Sequence, residues 1–538
     1  MLTSLRNVGL LVFGIIVAGA GSVLARSSGA AAVVPSDIRA IFNKADYKNA
    51  TWGLRVQDGP KVLVDVNPAR PFLIGSVRKI FSVGQLLNAV GAAHTYDTPV
   101  YRAGVLKGGV LRGNLILVAS GDLTMGGRTN PDGTIAVSNW DHNEADSLGN
   151  AVLTKPDPLA GYRRLARAVK AAGINRVSGE VVIDDRLFKP FYFRNEFNVK
   201  PIFVNDDMVD VSIVPGGKVG SRSNLTSRPN SAALAIKNQL LTGPPNSPAT
   251  VAIDPFLPTC IGSPNCSSAL KGKLPSNFVP PLTGQNVLVR AVRIVQPSNY
   301  ARTVFIEDLR TAGVRVDAPL VEQNPSRLLP AKGSYRTDTK VAQLTGMRYG
   351  QDAKFILKIS YNIGADTSLV LFGLTHKVDT MSGALQVERQ NLAAHYGIAS
   401  SQYHFIDGSG GGDSTATDIA VTLMLDELAK APEHKAFFDA LPILGVDGSL
   451  GFVKNYERDR TLSGATGNVR AKTGTYVGGS KSGMLLKGQA LAGYITTKSG
   501  RHLTFEVVVN NVPISSIDDI TKVFQDEGTI AAMLWRDY

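Results

Sequence analysis

Apolar and polar positions change texture twice along this 538-residue chain. Pro35-Ser36-Asp37 opens a short helix to about Ala45, and residues 52–56 and 62–66 alternate as two strands parted by Asp58-Gly59-Pro60, which predicts a hairpin. After Gly75 a helical stretch runs to about Val90. At 100° per residue Ile80, Val83, Leu86, Leu87 and Val90 share one side, with Arg78, Ser82 and Gln85 opposite. From about Pro99 the chain turns to short strands (110–118, 177–183) and an isolated helix, 165–172, ending at Gly173. Residues 216–330 are rich in Pro, Ser, Gly and Asn and have little periodicity, which reads as loops or a small β-rich unit. Long periodic segments return near Thr337. Helices are predicted at 369–374, 386–395, 417–428 and 516–535, and strands at 469–475, 490–497 and 503–510, the last two joined by Lys498-Ser499-Gly500.

This length calls for two to four folding units. The texture places both chain ends in one domain, 26–99 with 331–538, interrupted by an insertion at 100–330 that holds two small units, the second at roughly 216–320. The class is multidomain α+β, and no internal repeat is present.

Ahead of the first domain, Arg6 precedes an apolar run at 8–20 and Val23-Leu24-Ala25 fits a cleavage site, so 1–25 reads as a signal peptide. The run is short for a spanning helix; left uncleaved, it is an N-terminal anchor. Export puts the mature chain in the periplasm, the wall or the extracellular space. There Cys260 and Cys266, which enclose Ile-Gly-Ser-Pro-Asn, are expected to close into a disulfide. Two cysteines with no matching histidine pair make no zinc site, and no metal or cofactor is expected. The formal charge is +13, of which Arg6 supplies one, leaving +12 on the mature form. For an exported protein that balance suits an anionic wall or membrane surface, or a solvated basic face with no single partner, rather than nucleic acid.

Three short motifs carry chemistry. In Ser76-Val77-Arg78-Lys79 the hydroxyl and amine share a helix face at the end of an apolar stripe, where partial desolvation lowers the pKa of a lysine and fits it to activate a serine. Ser360-Tyr361-Asn362, if extended, points hydroxyl and carboxamide the same way. Lys472-Thr473-Gly474-Thr475 lies in a predicted strand, where Gly474 admits another backbone alongside and Lys472 offers charge to a carboxylate. Each alone is weak: Ser268-Ala269-Leu270-Lys271, Ser263-Pro264-Asn265, Lys481-Ser482-Gly483 and Lys498-Ser499-Gly500 imitate them. Order and context make the trio specific, since Ser76, Ser360 and Lys472 follow in sequence on helix, loop and strand; these motifs are an established signature of penicillin-binding proteins and serine β-lactamases.

The chain at this point resembles the D-alanyl-D-alanine carboxypeptidases and endopeptidases of the class C, low-molecular-mass penicillin-binding proteins, peptidase family S13. Further stretches carry the likeness: Leu111-Arg112-Gly113-Asn114-Leu115 with Ser120-Gly121-Asp122, Val177-Ser178-Gly179 with Asp184-Asp185, Asn205-Asp206-Asp207, Asp407-Gly408-Ser409-Gly410, Gly445-Val446-Asp447-Gly448-Ser449-Leu450 and Gly467-Asn468-Val469-Arg470-Ala471. The resemblance implies a serine β-lactamase/transpeptidase-like domain, with a five-stranded antiparallel sheet flanked by helices, an all-helical part and a large β-rich insertion. It implies Ser76 as the acylated nucleophile, Lys79 as its base, Ser360 as a proton relay, and Asn362 and Lys472 as ordering groups. Thr473 and Thr475, beside Gly474, hold the terminal carboxylate, and the backbone N–H groups of Ser76 and Thr475 make the oxyanion hole. Peptidoglycan stem peptides are the implied substrates and β-lactams the implied inhibitors.

Two departures stand out. Relatives continue Asp407-Gly408-Ser409-Gly410 with Leu-Ser-Arg, where this chain has Gly411-Gly412-Asp413, so a basic contact to the peptide is lost or moved. Residues 478–487 also lengthen the turn after the lysine motif with an extra basic loop. The competing readings are a β-lactamase or esterase of the same fold, against which the long insertion argues, and a non-catalytic wall-binding scaffold, against which the intact motifs argue.

Overall fold

Alternation along the C-terminal strands decides how the layers stack. In the computed structural model, which describes residues 34–480 and 483–538, Val507 and Val509 enter one apolar core while Val508 enters another. Leu491 sides with the first pair, and Ala490 and Ala492 with Val508. A strand whose neighbours point to opposite faces and are all buried must be covered on both sides. The sheet is five-stranded and antiparallel, in the order Lys61–Val66, Thr51–Asp58, His502–Ile514, Gly483–Thr496, Val469–Ser480. One face is covered by helices Ser36–Phe42 and Ile517–Asp537. On the other lie helices Lys79–Val90, Tyr349–Ile359, Asn362–Thr375 and Asp418–Lys430.

The third core draws on Val100 to Leu344. Its largest sheet pairs Thr95–Lys107 with both Val110–Val118 and Lys340–Arg348, and adds Val181–Asp184, Arg176–Val177 and Arg315–Val316. Two three-stranded sheets follow, one of Asn224–Arg228, Met208–Val214 and Leu288–Arg293, the other of Ala235–Gly243, Ser267–Pro275 and Thr250–Asp254. The sulfurs of Cys260 and Cys266 sit at disulfide distance beside the latter. No described helix is long and apolar enough to cross a membrane; the leader expected at 1–25 lies outside the described residues.

The mixed α+β class agrees with expectation, and several element readings are corrected. Helix Pro297–Thr311 was not anticipated, because it is buried nearly all round: Tyr300, Ala301, Val304 and Phe305, but also Ser298, Arg302 and Thr303. With only Arg310 and Thr311 exposed and Asn299 and Glu307 half-buried, its polar stripe is too narrow to show a clear amphipathic period. Strand Lys340–Arg348 and helix Tyr349–Ile359 abut with no connecting loop, which blurs both periods. The extra basic loop at 478–487 is instead a continued ladder, with Gly478 opposite Leu485, Gly479 opposite Met484 and Ser480 opposite Gly483. Lys481 and Ser482 lie outside the described residues.

Candidate active site

Ser76 lies not on the helix itself but in a tight 3₁₀ turn, Gly75–Arg78, that feeds helix Lys79–Val90. The turn needs glycine at 75, whose φ is +49° and whose absent side chain leaves room for the backbone of Thr475. The polar side of the helix does not face water. Arg78, Ser82 and Gln85 are buried, because a second polar layer meets them. Arg78 pairs with Glu388 at 2.5 Å and donates to the carbonyl of Asp407, Ser82 donates to the carbonyl of Gly408, and Gln85 donates to Glu388.

Lys79 is fully buried and its Nζ reaches three acceptors: Ser76 Oγ at 2.5 Å, Asn362 Oδ1 at 2.7 Å and the carbonyl of Ser409 at 2.9 Å. Burial, reinforced by the nearby charges of Lys472 and Arg194, holds the amine well below the usual lysine range, against the pull of Asp366 and Asp407.

Ser360 and Asn362 are not on an extended segment. Ser360 ends helix Tyr349–Ile359 in the left-handed region (φ 62°), and Asn362 opens helix Asn362–Thr375. The reversal turns Asn362 to Lys79 and Ser360 to Lys472, whose Nζ lies 3.1 Å from Ser360 Oγ and 2.7 Å from the carbonyl of Thr473. Lys472 is buried too, which pushes it down to about 7, with Glu144 opposing the shift. Thr473 Oγ1 lies 2.8 Å from Ser449 Oγ, and Thr475 donates to Gln489 at 2.9 Å.

Gly474 corrects another expectation. A Cβ built there collides with the carbonyl of Ile74 and presses on the amide of Val77. The space that glycine frees is filled by the chain's own serine turn, which brings Ser76 against the strand.

Several neighbours were given no role in the sequence reading. Ser409 meets Lys79 only through its carbonyl, which side-chain chemistry cannot announce. Asp407 holds the loop that presents it, accepting from the amides of Ser409, Gly410 and Gly411. Burial and Asp407 push the neighbouring Asp366 up to about 8. Arg194, remote in sequence, brings its Nε within 3.4 Å of where a Gly411 side chain would start, so a guanidinium borders the Gly411-Gly412-Asp413 turn. A recess of about 220 Å³ beside Asn362 is lined by Glu144, Arg194, Glu196 and Tyr361.

Below Tyr361 lies a buried ionic network. Arg128 donates to Asp141 at 2.7 Å and to Asp206 at 2.5 Å, while His142 bridges Asp206 (2.7 Å) and Asp210 (2.6 Å). Among the described residues Asp141, His142 and Asp206 form a group with metal-ligand spacing. The guanidinium of Arg128 already donates to both carboxylates, and His142 Nε2 faces Asp206 as well, so those ligand atoms are engaged with one another. Asn205, Asp206 and Asp207 all have positive φ, a costly run that Asn and Asp tolerate best. Tyr361 donates to the carbonyl of Asp206 at 3.4 Å, and Arg128 lies 4.2 Å over the ring of Phe355.

Comparison with known proteins bears on the fold and the family. Carboxypeptidase DacB of Mycolicibacterium smegmatis is 35% identical over 122 residues, 21% of this chain and 23% of that protein, so the chain matches about a quarter of that relative's length. The crystal structure of penicillin binding protein 4 (dacB) from Haemophilus influenzae superimposes with a TM-score of 0.65 at 18% identity, over 93% of this chain and 99% of that one. The same protein complexed with a novel β-lactam gives 0.64 at 19% identity, with the same coverage. At that identity the likeness speaks for the fold. The family model of the D-Ala-D-Ala carboxypeptidase 3 (S13) family matches residues 35–526, nearly the whole described chain, and the chain belongs to that family.

Proposed function

We propose that the protein is a serine D-Ala-D-Ala carboxypeptidase or endopeptidase of wall peptides, working through an acyl-enzyme on Ser76. The observation that carries this reading is the double contact of two buried lysines: Lys79 meets Ser76 and Asn362, while Lys472 meets Ser360. Three distant motifs thereby line one cleft.

Burial disfavours the charged form of the Lys79 amine, which then accepts the Ser76 proton as Oγ attacks the carbonyl carbon of the penultimate D-alanine. The amide N–H groups of Ser76 and Thr475 stabilise the oxyanion. As the C–N bond breaks, the proton passes from Lys79 through Ser360 to the departing D-alanine amine, and water then hydrolyses the ester. Lys472, Thr473 and Thr475 hold the terminal carboxylate, beside the small Gly474; Arg194 takes over the missing basic contact to the peptide.

The H. influenzae protein's structure with a β-lactam supports β-lactams as acylating inhibitors here. The leader at 1–25 and the basic balance support an exported enzyme at an anionic wall. The proposed division, 26–99 with 331–538 around an insertion at 100–330, draws support from a central sheet whose strands come from residues 51–66 and 469–514.

Mass spectrometry of the mature protein after penicillin treatment tests the reading. A stable adduct on native chain and none on Ser76→Ala is expected. An adduct elsewhere, or turnover of penicillin faster than D-alanine release from a peptide, refutes the peptidase reading; the second outcome favours a β-lactamase.

A further inference from the structure

A second cavity, of about 560 Å³, shares no lining residue with the Ser76 cleft. It lies between helices Tyr349–Ile359 and His434–Ala440. Four cationic side chains line it, Arg348, Lys354, Lys358 and Arg470, against two carboxylates, Asp439 and Asp447. Lys358 is only 1% exposed and pairs with Asp447 at 2.5 Å. Arg470 stands 3.9 Å from Asp439, its guanidinium 4.7 Å over the ring of Phe438. No described carboxylate lies within ion-pair distance of Arg348 or Lys354.

Lys358 and Arg470 already face carboxylates, while half-buried Lys354 and exposed Arg348 lie beyond ion-pair distance of any described carboxylate, so the lining keeps an excess of positive charge that draws an anion into the concave space. Two guanidinium forks beside two ammonium groups suit a phosphoryl group, with several acceptor oxygens and up to two charges, better than a single carboxylate. The volume falls in the range of small-molecule sites, which leaves room for more than the phosphoryl group itself.

We propose that this cavity binds a phosphoryl group, either of a small phosphate ester or of an anionic phosphate polymer. The inference does not depend on the reaction assigned to Ser76.

Isothermal titration of the mature protein at constant ionic strength, with inorganic phosphate, glycerol 3-phosphate and a poly(glycerol phosphate), tests it. Saturable binding of the ester or the polymer is expected, weakened about tenfold or more in Arg348→Gln/Lys354→Gln, since each lost charged hydrogen bond accounts for roughly that factor. Tighter binding of polymer than of ester per phosphoryl group assigns the site to the polymer; equal binding assigns it to the free ester. Circular dichroism checks that the double variant is folded. If it is not, Arg348→Gln alone, on an exposed side chain, carries the comparison. No saturable binding of either organophosphate, or equal affinity in native and variant chains, overturns the proposal.

Discussion

The Nζ of Lys79 and the Oγ of Ser76 lie 2.5 Å apart, with the amine buried and the hydroxyl at the cleft. Lys79→Met removes the proton acceptor while keeping the bulk. Acylation by a labelled penicillin should slow by about 10²- to 10⁴-fold. Gel fluorescence against time measures it, and an unchanged rate removes Lys79 from the proposed chemistry.

Lys472 sits at about 7 because of burial, so its charge fades as pH rises through neutrality. Binding a carboxylate then requires proton uptake, and above that point affinity should fall toward tenfold per pH unit. The alkaline limb of kcat/KM for a peptide acid should therefore flatten in Lys472→Arg, whose charge persists. An identical limb in both proteins assigns it to another group.

Burial opposes charge on His142, yet Asp210 and Asp206 win and raise it to about 9. Arg128, Asp141 and, behind Asp210, Arg228 are the other charges facing it. A folded pKa above the unfolded 6.5 gives stabilisation that is complete below about pH 6.5 and lost as pH climbs through about 9. Its size is on the order of 3 kcal/mol. Urea unfolding of native chain and His142→Gln at pH 6, 8 and 10 should show a gap that closes with rising pH. A gap independent of pH contradicts the assignment. Because Asp206 also holds Tyr361, the variant should acylate more slowly at pH 6.

Gly474→Ala drives a methyl group into the carbonyl of Ile74 and displaces the serine turn. A destabilisation of about 1–3 kcal/mol with a marked loss of acylation is expected. Gly479→Ala, which meets nothing within 4 Å on the same strand, is the control and should be neutral or slightly stabilising. Equal behaviour of the two variants in thermal melts and penicillin labelling rules out the close packing as the reason for glycine.

Much of the sheet was legible in advance because its strands alternate locally. The hairpin around Asp58-Gly59-Pro60 and the pairing across Lys498-Ser499-Gly500 are set by short-range turn chemistry and period-two burial. Helix Pro297–Thr311 was not legible, since burial over all but a narrow stripe blurs the period that betrays a helix.

By itself the sequence determined the three motifs, their order and the residue types able to act, because those are properties of side chains and short spacings. Tertiary structure alone decided that Ser76 sits in a 3₁₀ turn, that the left-handed Ser360 turns its neighbour Asn362 to a different lysine, and that the backbone carbonyl of Ser409 joins the site. It also decided that Arg128 and His142 together engage three carboxylates, with Asp206 in common, beneath Tyr361. Backbone groups look alike in every sequence, and the burial that shifts a lysine's proton equilibrium is made by segments hundreds of residues away, so neither is written in local pattern.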